Sequence, residues 1–395
     1  MTDQQPQQQT KPMSERLRAL PLTGQDTSMG KLLRRFWQPV GLAQPLRAGE
    51  AKAVRVMGED LALYRGESGQ AFLVGGYCPH RLTMLANGWV QGDEIRCMYH
   101  GWKFDGTGQC TERPAERDRK PPNISVVSYP VREYAGLIFA YMGEGEPPEF
   151  DLPRKSVFER PGALQFARLE TWPCNWLQQV ENSMDAVHVS FVHHWGRVGS
   201  FGAVVAATVP EISYEETDAG IRQTAVRSEG SKRVSDWTFP NNNHISHPTL
   251  EKDDPWVDVA VWMTPVDDEN TLRFLIYSIP STTPETDRRI REYFEKYSEY
   301  NPADHHDDLF QHKNLPDDKL VQLTSAQDYV AAVGQGKIVD RTQEKLGRSD
   351  MGIALLRRVY WREMEAIENG QPGKQWKRLA HDAHMPKQVN EAAVG

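Results

Sequence analysis

Hydrophobic and polar positions alternate along this chain in blocks whose period changes several times. Residues 14–37 space their apolar positions by three and four, which predicts a short amphipathic helix leading into a domain. From Val40 to Tyr77 the period falls to two. Ala53–Gly66 alternates around a Gly58-Glu59-Asp60 turn, and Gly69–Tyr77 follows another glycine-containing turn, as in short antiparallel strands. A helical period returns at 175–194. Residues 203–280 then read as successive strands, enough for a curved antiparallel sheet, and helical patterns close the chain at 284–299, 325–333 and 341–369. Strands and helices segregated in this way predict an α+β chain.

Composition narrows this picture. With 395 residues the chain can form two domains with sizeable cores. Mean hydropathy is −0.63 and no apolar run approaches the ~18 residues of a membrane span, so a soluble, cytoplasmic protein is expected. The first residues, rich in Gln and Pro, lack the apolar core of a secretory leader and read as a tail. A net charge of −8 with interspersed signs disfavours nucleic acid as a partner. Four cysteines, Cys78, Cys97, Cys110 and Cys174, are too few for a disulfide scaffold and raise metal binding instead.

One stretch carries chemistry on a helical background: Asn175 through His194, with Glu181, Asp185, His188 and His193 along it. Asp185 and His188 are three apart and share a helix face. His193 is five beyond His188, about 140° round an ideal helix. Both imidazoles can grip one ion only if the helix ends or bulges between them. Two imidazoles with a carboxylate and open positions describe the facial triad of a non-haem Fe(II) site.

A second stretch is more specific. Cys78-Pro79-His80-Arg81 is followed, after sixteen residues, by Cys97-Met98-Tyr99-His100. Two thiolates and two imidazoles suit Zn(II), or a [2Fe-2S] cluster in which two histidines replace two cysteines on one iron. Each loop here supplies one thiolate and one imidazole, whereas zinc ribbons pair like ligands. The glycines of Gly101-Trp102-Lys103-Phe104-Asp105-Gly106-Thr107-Gly108 would also allow close backbone approach to sulfides. Both points favour iron and sulfur.

The CPHR and CMYHGWKFDGTGQC segments resemble the cluster loops of Rieske proteins, and the NW(x)4VEN(x)2D(x)2H(x)4H segment resembles the iron-binding helix of Rieske non-haem iron oxygenase alpha subunits. The likeness runs from about Phe36 to Arg358. It implies an N-terminal all-β Rieske domain at 36–155, after a tail and lead-in helix at 1–35, and a catalytic domain at 156–395. It implies that Cys78 and Cys97 hold one cluster iron, His80 and His100 the other, and His188 and His193 the catalytic Fe(II). Asp185 would bridge that iron's histidine to a cluster histidine of a neighbouring subunit in a head-to-tail homotrimer, single or stacked in pairs. Leu82 departs from the family, many of whose members have Gly there, and is expected to touch only packing.

The third iron ligand must come from elsewhere. Asp328, in Ser325-Ala-Gln-Asp-Tyr-Val330, resembles the carboxylate-bearing element of the branch that includes phthalate dioxygenases and lignin-aryl O-demethylases, and Ile338–Asp350 with Arg357-Arg358 resembles the same branch. Asp317, Asp318 and Asp340 are the alternatives, Asp340 reading better as a helix cap with Glu344 near it. His194, His305 and His306 read as solvent-facing or outer residues, Cys110 and Cys174 as buried thiols, and Trp102 as a shield and subunit contact. Arg197, Arg222, Arg227 and Arg273 read as surface charges, of which one or two could instead clamp a substrate carboxylate. No dinucleotide fingerprint opens a strand-turn-helix, so electrons must come from a separate NAD(P)H-dependent reductase, with or without a ferredoxin. The expected reaction is hydroxylation or O-demethylation of a carboxylated or methoxylated aromatic compound by O2, with cis-dihydroxylation as the alternative. A Rieske electron carrier without oxygenase chemistry would leave some 240 residues unexplained, and a zinc-binding structural protein would be colourless.

Overall fold

The computed structural model describes residues 12–116, 123–193, 208–227, 232–247, 249–251, 253–296, 298, 301–305 and 320–379. Two helices open it, α1 (Met13–Ala19) and α2 (Ser28–Arg34), where one was expected. Pro21 and Gly24 interrupt the run, and the Thr27 hydroxyl restarts it by accepting from the Gly30 N–H.

Eleven strands follow: β1 (Gln38–Leu42), β2 (Ala51–Val56), β3 (Glu59–Arg65), β4 (Ala71–Gly75), β5 (Trp89–Gln91), β6 (Glu94–Arg96), β7 (Lys103–Phe104), β8 (Cys110–Glu112), β9 (Ser128–Tyr129), β10 (Val131–Tyr134) and β11 (Leu137–Ala140). They form three antiparallel sheets, ordered β2-β3-β4-β9, β5-β6-β7-β8 and β1-β11-β10. The β2–β3 hairpin turns on Met57-Gly58, both at positive φ (48° and 84°), and not on Gly58-Glu59-Asp60. Glu59 pairs with Val56, because a two-residue turn of this hand matches the strand twist. Met57 is held in that conformation by burial and by its N–H, which donates to the Pro265 carbonyl at 2.8 Å.

The second part is built on β12 (Leu164–Trp172), β13 (Glu211–Glu216), β14 (Gly220–Val226), β15 (Lys232–Thr238), β16 (Asn242–His247), β17 (Val257–Pro265) and β18 (Thr271–Ile279). They make one antiparallel sheet ordered β12-β18-β17-β16-β15-β14-β13. Residues 203–207 of the expected strand run lie outside the described residues. Helices α3 (Trp176–Ser183), α4 (Val189–Val192), α5 (Pro284–Lys296), α6 (Leu320–Val333) and α7 (Met351–Glu368) complete the fold. The expected helix at 341–369 starts only at Met351. Asp340 caps a separate single turn by accepting from the Thr342 N–H, and Gly347 intervenes.

Along β17, Val257 and every residue from Val259 to Pro265 are buried, since α3 and β1 both pack against the strand. Leu33, Ile138, Trp176 and Leu356 therefore share one apolar core that joins the two parts. Helix α2 packs on α7, so the start of the chain is tied to its last helix.

Candidate metal centres

The two cysteine–histidine loops share one backbone frame. In the first, the Cys78 N–H donates to the Thr83 carbonyl (2.9 Å) and the Leu82 N–H donates to the Cys78 carbonyl (2.8 Å). In the second, the Cys97 N–H donates to the Trp102 carbonyl (2.8 Å) and the Gly101 N–H to the Cys97 carbonyl (3.0 Å). The residue four beyond each cysteine is left-handed: φ is 57° at Leu82 and 74° at Gly101. Leu82 thus bears on backbone conformation and not on packing, for its side chain is 72% exposed. Gly106 and Gly108 have a different use from the one expected. A Cβ on Gly106 would meet the Phe72 ring at 2.2 Å, and one on Gly108 the Val126 carbonyl at 2.2 Å, so both serve strand packing.

The loops follow β4 and β6, above an apolar cluster of Tyr64, Val74, Leu85, Ile95, Phe104 and Cys110. Cys78 and Cys97 belong to that cluster, whereas His80 is exposed and His100 partly so. Burial, and next to it the Cys97 thiol, pushes the Cys78 thiol up to about 11, against a lowering backbone hydrogen bond at His80. The His80 and His100 rings lie 4.4 Å apart, and Trp102, buried, stacks flat on His80 at 4.8 Å as a shield. Arg96 pins the second loop, donating to the Gly101 carbonyl (2.7 Å) and to Glu112 (2.6 Å).

Among the described residues, the set of three or more His, Cys, Asp or Glu donors that closes to within 4.8 Å is His188, His193 and Asp328. The four loop donors do not converge in that way. A single tetrahedral zinc needs its ligands that close, while a two-iron cluster needs two pairs held apart. The buried thiol pair and the outward imidazole pair fit the cluster.

The mononuclear triad depends on a broken helix. Asn175 caps α3, its side chain accepting from the Leu177 N–H (3.0 Å). The helix stops at Ser183, and the Met184 carbonyl accepts from Tyr214 Oη (2.8 Å) and Gln223 Nε2 (2.9 Å) on the neighbouring strands. Asp185 then restarts the chain, its Oδ1 accepting from the N–H groups of Val187 (2.7 Å) and His188 (3.3 Å). Four residues of α4 bring His193 round, leaving the two rings 5.5 Å apart. Both Nε2 atoms lie 3.5 Å from Asp328 Oδ1 on α6, and Asn182 Nδ2 donates to the same oxygen (3.4 Å).

Two residues that stood in the quoted segments without a role support this triad. Gln327 Oε1 accepts from His193 Nδ1 at 2.9 Å, which leaves Nε2 facing Asp328 Oδ1. Glu181, buried on α3, accepts from Arg341 and Arg357 and ties the helix to the C-terminal segment. His188 Nδ1 is buried without a hydrogen-bond partner, 3.8 Å from Asp185 Oδ2. Burial alone would raise the Asp328 carboxyl, but the His193 and His188 imidazoles and then Arg273 outweigh it and hold the group down at about 2. An ionised carboxylate and two Nε2 atoms facing one point fit Fe(II).

Asp340 is engaged as a cap, and Glu344 pairs with Arg357 (2.8 Å). Asp317, Asp318, His194, His306 and Arg197 lie outside the described residues. Cys110 and Cys174 are buried thiols. Arg222 is taken by Asp236 (2.8 Å) and Arg273 by Glu170 (3.1 Å).

The triad opens on a cavity of about 680 Å³ whose walls include Phe166, Val261, Met263, Leu275, Arg233 and Ser235. A β domain with paired Cys–His loops joined to a His-His-Asp triad on the wall of a cavity fits an iron oxygenase. Residues 36–134 match the Rieske [2Fe-2S] domain and residues 140–390 the LigXa C-terminal domain like family. The chain is 34% identical over 368 residues to the 5,5'-dehydrodivanillate O-demethylase oxygenase subunit of Sphingobium sp., covering 89% of this chain and 80% of the relative. It is 33% identical to the tert-butanol monooxygenase / tert-amyl alcohol desaturase oxygenase subunit of Aquincola tertiaricarbonis, over 85% and 73%. Dicamba monooxygenase bound to dicamba has the same fold, at TM-score 0.60 and 20% identity over 86% of this chain and all of that one.

The chain belongs to the oxygenase subunits of the Rieske non-haem iron oxygenases. It is the terminal oxygenase component, an oxidoreductase with a [2Fe-2S] cluster and a mononuclear Fe(II). No helix among the described residues is long and apolar enough to cross a membrane.

Proposed function

We propose that Cys78, His80, Cys97 and His100 hold the cluster in a unit spanning about 36–155, and that His188, His193 and Asp328 hold Fe(II) in the unit from 156 onward. The convergence of two Nε2 atoms on one carboxylate oxygen supports this most directly. Bound there, the iron supplies reductive O2 activation, with electrons delivered through the cluster from a separate NAD(P)H-dependent reductase. The protein's own part is positional. Gln327 orients the His193 ring, Asn182 donates to Asp328, and Phe166, Val261, Met263 and Leu275 give the cavity an apolar wall.

Asp185 is the bridging residue of this reading. Its Oδ1 is committed to its own turn, and Oδ2 is the oxygen left to face His188 Nδ1 and a partner's cluster histidine. The cluster histidines sit among exposed Tyr77, Leu82, Met98 and Tyr99, a surface suited to covering by a neighbouring copy in a head-to-tail homotrimer. The substrate is an aromatic compound, carboxylated or methoxylated, that undergoes hydroxylation or O-demethylation. The O-demethylase relative favours this over cis-dihydroxylation, which remains the reading suggested by the 28% identical phthalate 4,5-dioxygenase oxygenase subunit of Pseudomonas putida. Dependence on the NAD(P)H pool supports a cytoplasmic location.

The test is oxygen uptake with a surrogate reductase across methoxyarenes and aromatic acids, with product identification. Substrate-dependent uptake with a hydroxylated or demethylated product is expected. Reduction of the cluster without oxygenated product from any of them would reduce the chain to an electron carrier.

A further inference from the structure

The cavity that the triad opens on is lined by charges of both signs, with Asp185, Glu295 and Asp328 as its carboxylates. Four arginines line it: Arg168, Arg233, Arg273 and Arg291. Arg168 and Arg273 both meet the buried carboxylate of Glu170, and Arg273 also donates to Ser325 Oγ (2.7 Å). Arg291 is exposed on α5. Arg233 differs from all three. It sits on β15, where among the described residues its Nη2 reaches the neutral Gln223 Oε1 at a long 3.4 Å, and its Nε, like that of Arg273, is buried with no hydrogen-bond partner. No carboxylate among the described residues forms an ion pair with it. Burial, and after it the Arg227 guanidinium, pulls it down to about 10, which still leaves it charged at neutral pH.

A second orphan lies beside it. Ser235 is two residues along the same strand, so its side chain leaves the same face. It also lines the cavity, and its buried Oγ has no partner. A half-buried guanidinium whose Nε is shut off from water and a buried hydroxyl, both left unsatisfied on one face, are costly unless a ligand completes them. The planar guanidinium fork matches a carboxylate, and the hydroxyl can donate to it as well. Across the cavity, Val261, Met263, Leu275 and Phe166 offer an apolar wall for a ring.

We propose that Arg233, with Ser235 beside it, is the anion-binding pole of the substrate cavity, and that the substrate is an aryl carboxylate held by its carboxylate while its other substituents face the triad. This rests on the oxygenase reading above, which leaves open whether the aromatic compound is carboxylated or only methoxylated.

Isothermal titration of the purified holoprotein with 3-methoxybenzoate and with its neutral isostere 3-methoxybenzamide tests it. A hydrogen bond to a charged group is worth about 1.5–3 kcal/mol, so the carboxylate should bind roughly 10- to 150-fold more tightly than the amide. Arg233→Gln should bring the carboxylate down to the amide's affinity, Arg233→Lys should fall between, and Ser235→Ala should cost several-fold for the carboxylate alone. Equal binding of the pair, no binding of either, or a preference that survives Arg233→Gln overturns the proposal. Should Arg233→Gln not fold, an unchanged preference in both Arg233→Lys and Ser235→Ala overturns it. Product analysis on the same pair separates the two readings. Oxidation of both compounds without preference removes the anion pole and keeps the oxygenase, whereas selective carboxylate binding with no oxygenated product from any arene does the reverse.

Discussion

Glu181 lies on α3, four residues before Asp185 and seven before His188, and its carboxylate is buried. Arg341 donates to Oε2 from Nε (3.0 Å) and Nη2 (2.8 Å), and Arg357 donates to Oε1 from Nε (2.7 Å). Glu181→Gln keeps the shape and removes the charge. Arg357 would still meet Glu344 at 2.8 Å. Arg341 would not, and its Nη1 already lacks a partner, so a buried cation would be left uncompensated. Removing one partner of a buried pair costs roughly 3–5 kcal/mol. Chemical denaturation at pH 7, followed by tryptophan emission, should show a loss of that size, and because α3 sets the start of the iron segment, iron content should fall with it.

The pH dependence gives this prediction its sign. Burial opposes ionisation of Glu181, but Arg341 and Arg357 override it and hold its carboxyl below the ordinary range in the folded protein. A folded value below the unfolded one, about 4.3, means a contribution fully present above that pH and lost on acidification below it. The gap between wild type and Glu181→Gln should therefore be constant from pH 7 to about pH 5 and shrink below about pH 4. A loss under about 1 kcal/mol at pH 7, or a gap that does not narrow in acid, would refute the reasoning. Joint replacement of Glu181, Arg341 and Arg357 by Leu, Met and Met should recover most of the stability, as buried ion networks exchanged for apolar side chains often do.

Three further outcomes follow from local geometry. Leu82→Gly relieves a left-handed leucine that buries little, and should raise the stability of the cluster unit by about 0.5–1 kcal/mol in a thermal melt followed at the cluster absorbance; a lower midpoint contradicts the matched-loop account. Gln327→Leu removes the acceptor for His193 Nδ1 and should weaken iron retention about 10- to 100-fold under chelator challenge while the cluster spectrum stays unchanged. Asp185→Asn should keep both metals and normal reduction by the reductase, yet slow substrate- and O2-dependent reoxidation of a pre-reduced cluster by orders of magnitude. A near-native rate would show that Asp185 only supports its own turn.

The sequence showed most of what is local. Period two and period three to four marked the strands and the main helices, but the break expected between His188 and His193 falls earlier, between Ser183 and Val189, and the short helix Val189–Val192 then runs between the two histidines and ends before His193. Asp328 was visible only through its family pattern, since the residues from α6 that meet α3 lie about 140 positions downstream. Gln327, Arg233 and Ser235 carried no signal of their own. A glutamine beside a ligand becomes an orienting group only when the fold puts Nδ1 within reach. An arginine becomes notable only when it is known which arginines find a carboxylate, and among those weighed, Arg222 and Arg273 both do. The turn at Met57-Gly58 was misplaced by one residue because its non-glycine left-handed position is held by Pro265, more than two hundred residues away.

The central claim is that this chain carries two distinct metal centres, one with paired thiol and imidazole donors and one with two imidazoles and Asp328. Iron quantitation combined with EPR, on the wild type and on His193→Ala, tests it most directly. Three irons per chain and a reduced Rieske-type signal are expected in the wild type, then two irons per chain with the same signal in the variant. A variant that keeps three irons, or one that loses the cluster signal together with the single iron, would contradict it.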